Sequence, residues 1–259
     1  MPKTSSKPKS EYEIQTVKNA LRMLEVFHSE TELGVSELAR RLDLHKNNAF
    51  RLLATLELAG YIQQTPETEL YHLGPRCLEL GHAFARSHAL INQARPVLEA
   101  LGESMGETVH LGVLRDEEVV HLDGVLPEQL VLTGLRVGER LPAHCTALGK
   151  VLLADGAGSG ASDRELARYT DSTIVDSAKL ADELRAVALQ GYAPDLEEYA
   201  PGLRCVAAPV RDASSRVIAS VSLSAPSFRL SEEQLHGEAA RAVTEAATRI
   251  SQRLGSPTP

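Results

Sequence analysis

The sequence predicts an α+β chain of two domains, an N-terminal winged helix-turn-helix followed by an antiparallel sheet with flanking helices. Three observations point there. Between Gly34 and Tyr61, two short apolar stripes at helical spacing are separated by three residues. Directly after them, two short β-prone runs flank a Pro-containing turn. From Thr108 onward the apolar period changes from helical to two, the signature of half-buried strands. The 259 residues are long for one domain and comfortable for two.

Residues 1–13 are expected to be a disordered tail; MPKTSSKPKS is polar and lacks the apolar core of a signal peptide. Residues 14–75 are assigned to the winged helix-turn-helix, and Thr16 is the expected N-cap of its first helix. That helix runs to His28, with Val17, Ala20, Leu21, Leu24 and Phe27 on one face. Val35, Leu38, Ala39 and Leu42 then make one stripe at i, i+3, i+4 and i+7, and Ala49, Leu52, Leu53 and Leu56 make the next. Asp43-Leu44-His45 between them is long enough only for a turn, so the pair is a helix-turn-helix. Gly60 stops the second helix. Tyr61–Gln64 and Leu70–Leu73 form the hairpin, or wing, and Gly74-Pro75 closes it.

Residues 76–90 read as a connecting helix with Cys77, Leu80 and Phe84 on one face. Residues 91–255 form the second domain. It opens with a helix over Ile91–Met105 that is expected to restart or kink at Pro96. Thr108–Val113 and Val119–Asp123 are a hairpin about Arg115-Asp116-Glu117, and Val131–Val137 is a third strand. Thr146–Ala154 is a helix, Gly156–Ala161 a Gly-rich loop, and Ser162-x-x-Glu165 the capping box of a further helix. Lys179–Gln190 is a helix stopped by Gly191. Arg204–Val210 and Val217–Ser224 are strands, and Ser231-x-x-Gln234 caps a final helix to about Leu254.

Charge and cysteine usage narrow the function. The net charge of −8 argues against indiscriminate nucleic-acid coating. Yet nine Lys/Arg against eight Asp/Glu through Thr65 leave a near-neutral reading head on an acidic body. Opposite the second stripe lie Asn47 and Arg51, with Asn48 and Thr55 at the flank and Lys46 at the start. Ser36 opens the preceding helix. Asn and Arg make paired hydrogen bonds to base edges in the major groove, and Lys and Arg neutralise phosphates. Double-stranded DNA is the expected partner of this face. No stretch approaches the ~18 uninterrupted apolar residues of a membrane span, so no membrane partner is expected. Three cysteines without a CxxC pair, Cys77, Cys145 and Cys205, fit a reduced, cytoplasmic compartment.

Three stretches of the second domain carry unusual residues. In Leu141–Lys150 a strand gives way to a helix whose first N–H groups suit a carboxylate or phosphate. Gly149-Lys150 is not the end of a P-loop, because His144 stands where its first Gly belongs and Val151 where Ser/Thr must follow. In Gly191–Cys205, Asp195, Glu197 and Glu198 are either a solvated acidic loop or an acid/base or metal cluster, with Arg204 as a partner. In Val217–Ser224, Ser220, Ser222 and Ser224 share one strand face, which either lines a small polar cavity or is a wet outer face. His144, Cys145 and Asp195 form a triad only on paper, without a nucleophile elbow, so no enzyme is expected. His110, His121, His144 and Cys145 lack metal-ligand spacing, so neither a metal nor a cofactor is expected.

With these pieces in order, the chain resembles the isocitrate-lyase-regulator (IclR) family of bacterial transcription factors from about Thr16 to Leu254. The resemblance rests on SELARRLDLHKNNAFRLLATLELAGYI, on LPAHCTALGKVLLA, and on GYAPDLEEYAPGLRCVAAPVRD followed by VIASVSLSAP. It implies an operator-binding dimer or dimer of dimers, more often a repressor, with a GAF-like C-terminal domain that binds a small organic effector, often a carboxylate or aromatic acid. Carried over by position, the effector pocket includes Leu130, Thr133 and Leu141 on one wall, with Ala147 and Leu148 as backbone contacts. Asp195, Leu203, Cys205, Ser222 and Ser224 complete it, leaving Glu197 and Glu198 structural. The alternative on the same scaffold is a redox or metal sensor read through Cys145 and Cys205.

Overall fold

The computed structural model describes residues 12–129, 133–155 and 165–257. They form two compact units, residues 1–87 and 88–259.

In the first unit, α1 (Gln15–Glu25) continues into a 3-10 turn (Val26–His28). It begins one residue before the expected Thr16 cap, on Ile14, without a side-chain cap. Its buried side chains are only partly those expected: Phe27 is among them, and Ala20 and Leu24 pack at the edge. Met23 and Phe27 are in the core, whereas Val17 (53% exposed) and Leu21 (56% exposed) face outward. Val17, Ala20, Leu21 and Leu24 do lie on one side of the helix, but only its edge nearest Met23 meets α2 (Val35–Leu42) and α3 (Lys46–Leu58).

The two central stripes behave as their spacing dictates. Leu38, Ala39, Leu42, Ala49, Leu53 and Leu56 are buried together. The turn between the helices is made by Asp43 in the left-handed region (φ 54°, ψ 49°), and Leu44 N–H bonds back to Ala39 O at 2.9 Å. Gly60 (φ +80°) ends α3, and β1 (Ile62–Gln64) pairs antiparallel with β2 (Tyr71–Leu73). The wing core is Ile62 and Tyr71, both buried against the helices. In α4 (Pro75–Ser87) the expected packed face is absent among the described residues: Leu78, Leu80 and Phe84 are exposed, and Cys77 is half-buried, donating from Sγ to Tyr61 O at 3.4 Å.

The second unit is a six-stranded antiparallel sheet in the order β5-β4-β3-β8-β7-β6. The strands are β3 (Thr108–Arg115), β4 (Glu118–Val125), β5 (Arg140–Pro142), β6 (Ala193–Leu196), β7 (Leu203–Arg211) and β8 (Val217–Pro226). The β3–β4 turn is tight, with Asp116 and Glu117 both at positive φ, the geometry that matches strand twist in two-residue hairpins. One sheet face, including Val109, Leu111, Val206, Ala208, Val221 and Leu223, is buried against α5 (Ala89–Met105) and α9 (Ala240–Arg253). The opposite face meets α6 (Ala147–Asp155) and, beyond it, α7 (Ser177–Gln190). The final helix begins as expected: the Ser231–Gln234 capping box is formed at α8 (Glu232–Gln234), and a π turn at Leu235–Ala239 leads into α9.

Three expectations about this unit fail. Pro96 neither starts nor divides its helix; α5 runs unbroken past it. Pro forfeits one backbone bond, but Leu90, Ile91, Ala94, Val97, Leu98 and Leu101 bury a continuous stripe across that point. The third strand expected over 131–137 is absent from its described part, 133–137. There the backbone is held by side chains: Thr108 Oγ1 donates to Thr133 O (2.8 Å), and His110 Nε2 lies 3.3 Å from Gly134 O. The short β5 instead takes the sheet edge beside β4. The helix expected from Ser162 does not extend into residues 165–168, which are irregular. Ser162 itself, the Gly-rich loop 156–161 and Leu130 lie outside the described residues.

Candidate functional site

The exposed face of α3 is built by its own burial pattern. Ala49, Leu53 and Leu56 point inward, so Lys46, Asn47, Asn48, Arg51 and Thr55 point to solvent. Ser36 is exposed at the start of α2. Thr55 is less available than its position suggested, because its hydroxyl donates to Arg51 O (2.8 Å) and is left as an acceptor. Asn48, Arg51 and Thr55 also border a surface groove of about 470 Å³ with Thr16 and Asn19 of α1. Phe50, exposed on the flank of the same face, was missed; it lies off the buried stripe, and such an aromatic suits a thymine methyl. The cations of α2 are committed locally. Arg40 and Arg41 both clamp Glu37 and hold its carboxyl down at about 2, and Arg41 also reaches Glu30 at 2.8 Å.

The second site is a cavity of about 230 Å³ on the α6 side of the sheet. Its lining includes every described residue expected there: Thr133, Leu141, Ala147, Leu148, Asp195, Leu203, Cys205, Ser222 and Ser224. Register explains the convergence. Asp195 on β6 pairs with Cys205 on β7, and Cys205 pairs with Ser224 on β8. Ser222 pairs with His110 on β3. Gly112, the next residue on that face of β3, pairs with His121 on β4 after a bulge at Leu122. A polar row therefore crosses five strands, about 19 Å at the usual strand spacing. The face of Ser220, Ser222 and Ser224 is thus an inner wall, and all three are buried.

α6 closes the cavity from above. A Cβ on Gly149 would sit 2.2 Å from Ala143 Cα and O, so only glycine lets the helix approach the preceding strand end this closely. Ala147 and Leu148 stand at the helix start, where N–H groups have no acceptor within the helix. The helix is anchored beneath by Lys150, 1% exposed, whose ammonium meets Glu198 at 2.5 Å and Glu183 at 2.9 Å. Burial alone would lower Lys150, but the two carboxylates outweigh it and hold the lysine charged. Glu198 N–H in turn donates to Asp195 Oδ1 at 2.8 Å. Glu197 takes a different role. At φ 63° it turns the chain, accepts from Gly202 N–H at 2.8 Å and approaches Arg204 at 3.5 Å.

The electrostatics are those of a desolvated site. Burial, reinforced by Glu198, pushes Asp195 up to about 7. Burial holds His110 down at about 3 and His121 at about 4, so both imidazoles are neutral at physiological pH. The Cys145 thiol is pushed up to about 12 by burial and Asp195, and Cys205 is raised for the same reasons. Neither is a thiolate, the species that oxidants and metals attack. Among the described residues no group of three or more His, Cys, Asp and Glu could hold a metal. His144 uses Nε2 on Ala167 O at 2.9 Å and does not activate Cys145. His110, His121, Arg136, Thr146 and Tyr199 also line the cavity and were not in the expected set. The strand alternation that placed Ser222 opposite residue 110 would have found His110; Arg136 and Tyr199 come from irregular segments that no periodicity marks.

No helix among the described residues is long and apolar enough to cross a membrane. The family model for the IclR helix-turn-helix domain matches residues 16–66, and that for the bacterial transcriptional regulator IclR C-terminal domain matches 82–252. The chain is 36% identical to the HTH-type transcriptional regulator XynR of Escherichia coli over 250 residues, covering 94% of this chain and 98% of XynR. A solved transcriptional regulator from Rhodococcus sp. RHA1 superposes with a TM-score of 0.83 at 32% identity, covering 93% of this chain and 98% of that one. An IclR homologue from Microbacterium hydrocarbonoxydans, solved in complex with 4-hydroxybenzoate, superposes with a TM-score of 0.79 at 27% identity, covering 92% and 98%. These relatives are regulators, a non-enzymatic function. From its two matched domains and its full-length relatives, the chain belongs to the IclR family of bacterial transcriptional regulators.

Proposed function

We propose that this protein is a repressor that binds operator DNA as a dimer or dimer of dimers and is controlled by a small organic acid held in the second unit's cavity. Lys46, Asn47, Asn48, Arg51 and Thr55, with Ser36, are assigned to DNA. Two copies of α3 would enter successive major grooves about 34 Å apart on a pseudo-palindrome. Repression follows when the occupied operator excludes polymerase.

The observation that carries the effector reading is the convergence of the α6 N-terminus, Ser222, Ser224 and Asp195 on one cavity. Its 230 Å³ lie below the ~300–1,000 Å³ of drug-sized sites, which fits a small acid. A carboxylate there would accept from the Ala147 and Leu148 N–H groups. Asp195, titrating near 7, can share a proton with it where an ionised aspartate would repel it. Thr133, Leu141, Leu203 and Cys205 would supply the walls, with Leu130 assigned by resemblance. The complex with 4-hydroxybenzoate in the Microbacterium homologue supports an aromatic acid within this class. Such a ligand shifts operator affinity only if it binds one conformation more tightly than the other.

The test is fluorescence anisotropy on an operator duplex, with and without acids found in a thermal-shift screen. Arg51→Ala is expected to weaken operator binding about 10-fold or more and leave effector affinity intact. Asp195→Ala is expected to abolish the effector response while DNA binding survives. Equal loss of both functions in Arg51→Ala, or an unchanged effector titration in Asp195→Ala, would refute the assignment.

A further inference from the structure

We propose that Phe50 reads a thymine methyl in the major groove, which makes it a specificity-determining residue and places a thymine within one or two base pairs of the bases that Asn47 and Arg51 contact. This rests on the operator reading above and carries it to one residue and one base.

The spacing along α3 sets the geometry. Asn47, Phe50, Arg51 and Ala54 stand at i, i+3, i+4 and i+7, so they share one face of the helix. Ala49, Leu53 and Leu56 are buried on the other side. Phe50 is 56% exposed and joins no apolar cluster of its unit among the described residues. Ala54 adds little bulk beside the ring, and Phe50, Arg51 and Ala54 border one groove. Three residues along an α-helix span about 4.5 Å, against about 3.4 Å between stacked bases, so Asn47 and Phe50 meet neighbouring base pairs.

Charge decides what covers this ring. An apolar protein surface laid over it would also desolvate Lys46, Asn47 and Arg51. Lys46 and Arg51 form no ion pair among the described residues, whereas both arginines of α2 are spent on Glu37. The acid of α3, Glu57, is turned to the wing, where it accepts from Gln64 N–H at 3.2 Å. DNA phosphates supply the missing anions. The wing offers no competing anchor, because its tip carries Glu67 and Glu69, both exposed. Base reading therefore falls on α3, and Phe50 enters the groove with Asn47 and Arg51.

Chemistry then selects the base. Base edges in the major groove present donors, acceptors and one apolar group, the thymine 5-methyl. A phenyl ring has no hydrogen bond to offer. Set against a guanine oxygen or a cytosine or adenine amino group, it would strip water from a polar atom without replacing it. Set against the methyl, it buries apolar surface on both sides.

The test takes a duplex selected from random sequence by the full-length protein and replaces each thymine in turn with deoxyuridine. The exchange removes the methyl and keeps the base pairing. Fluorescence anisotropy should find one position per half-site where it weakens wild-type binding about fourfold, and roughly fifteenfold with both half-sites changed, the scale of one buried carbon at each. Phe50→Ala should weaken binding to the thymine duplex and bind the thymine and deoxyuridine duplexes alike. Phe50→Leu, which keeps an apolar side chain, should retain part of the difference. A duplex indifferent to every exchange, a sensitive thymine more than two base pairs from the position where Arg51→Ala relaxes base preference, or a methyl preference that persists in Phe50→Ala would overturn the proposal and leave DNA binding standing. The thymine scan uses the wild-type protein alone, so it stands even if Phe50→Ala does not fold. Failure to select any duplex would overturn the operator reading itself, and this inference with it.

Discussion

Lys150→Met is the sharpest probe of how the cavity is held. The lysine is buried beneath α6 with Glu198 at 2.5 Å and Glu183 at 2.9 Å. Methionine retains most of its stem and packs in its place, so the substitution removes chiefly the charge. Glu198 is then buried without a cation, whereas Glu183, whose side chain is 27% exposed, can rehydrate. Removing one partner of a buried pair costs about 3–5 kcal/mol. For a cooperative unit of residues 88–259 the entropy of unfolding is about 0.36 kcal/mol/K, so the midpoint of that unit should fall by roughly 8–14 °C. Thermal unfolding followed by circular dichroism measures this directly. The loss should shrink toward acid pH, because an uncompensated buried carboxyl takes up a proton, and the double variant Lys150→Met/Glu198→Gln should recover most of it. Effector affinity should fall as well, since the Glu198 N–H holds Asp195 Oδ1 at 2.8 Å. A midpoint lowered by less than about 2 °C, or a double variant no better than the single one, would refute the view that charge pairing anchors α6 and the acidic turn.

Asp195→Asn tests the desolvated carboxyl. Native Asp195 keeps its proton up to about 7, whereas an unfolded aspartate releases it near 3.8, so the native state binds more protons between those values. Wild-type stability should therefore decline as pH rises from about 4 through 7, by at most ~4 kcal/mol, and the Asn variant should lose most of that slope in urea titrations at several pH values. The buried, protonated thiols predict slow alkylation of Cys145 and Cys205 by iodoacetamide at pH 8, with half-buried Cys77 modified first; mass spectrometry of partial digests reads this. The Cys145→Ser/Cys205→Ser protein should still respond to an organic acid, and loss of that response together with an oxidant response in wild type would revive the redox alternative. Gly149→Ala should destabilise the second unit by more than an ordinary helix substitution. Its methyl meets the Ala143 backbone, which cannot swing aside, and a wild-type melting curve for this variant would show the approach to be looser.

Local patterning was enough for much of the fold. The stripes of α2 and α3, the Gly60 stop, the 43–45 turn, the wing and the Ser231 capping box depend on contacts a few residues apart, and these the chain itself writes. The same holds for the exposed face of α3, which is fixed once Ala49, Leu53 and Leu56 are buried. The cavity residues came from resemblance in motif, and no periodicity alone would have chosen between an inner and an outer serine face on β8. That choice belongs to the sheet order, which sets β8 between β3 and β7 and lays α6 over it.

Other features needed the tertiary structure because partners distant in sequence decide them. Pro96 passes unnoticed in α5 because a buried stripe on both sides outweighs one lost bond. Residues 133–137 have strand-like composition but give their backbone to the side chains of Thr108 and His110, so they line the cavity and do not join the sheet. Lys150 and Glu198 are 48 positions apart, and nothing local marks either as buried. His121 reaches the cavity through pairing register and a bulge that nothing local in the sequence marks. The sequence by itself determined most of the helices, the central strands, the reading helix and the family. The packing of the sheet against α6 decided which charges are buried and which protons are held, because desolvation depends on what surrounds a group in space and not on its neighbours along the chain.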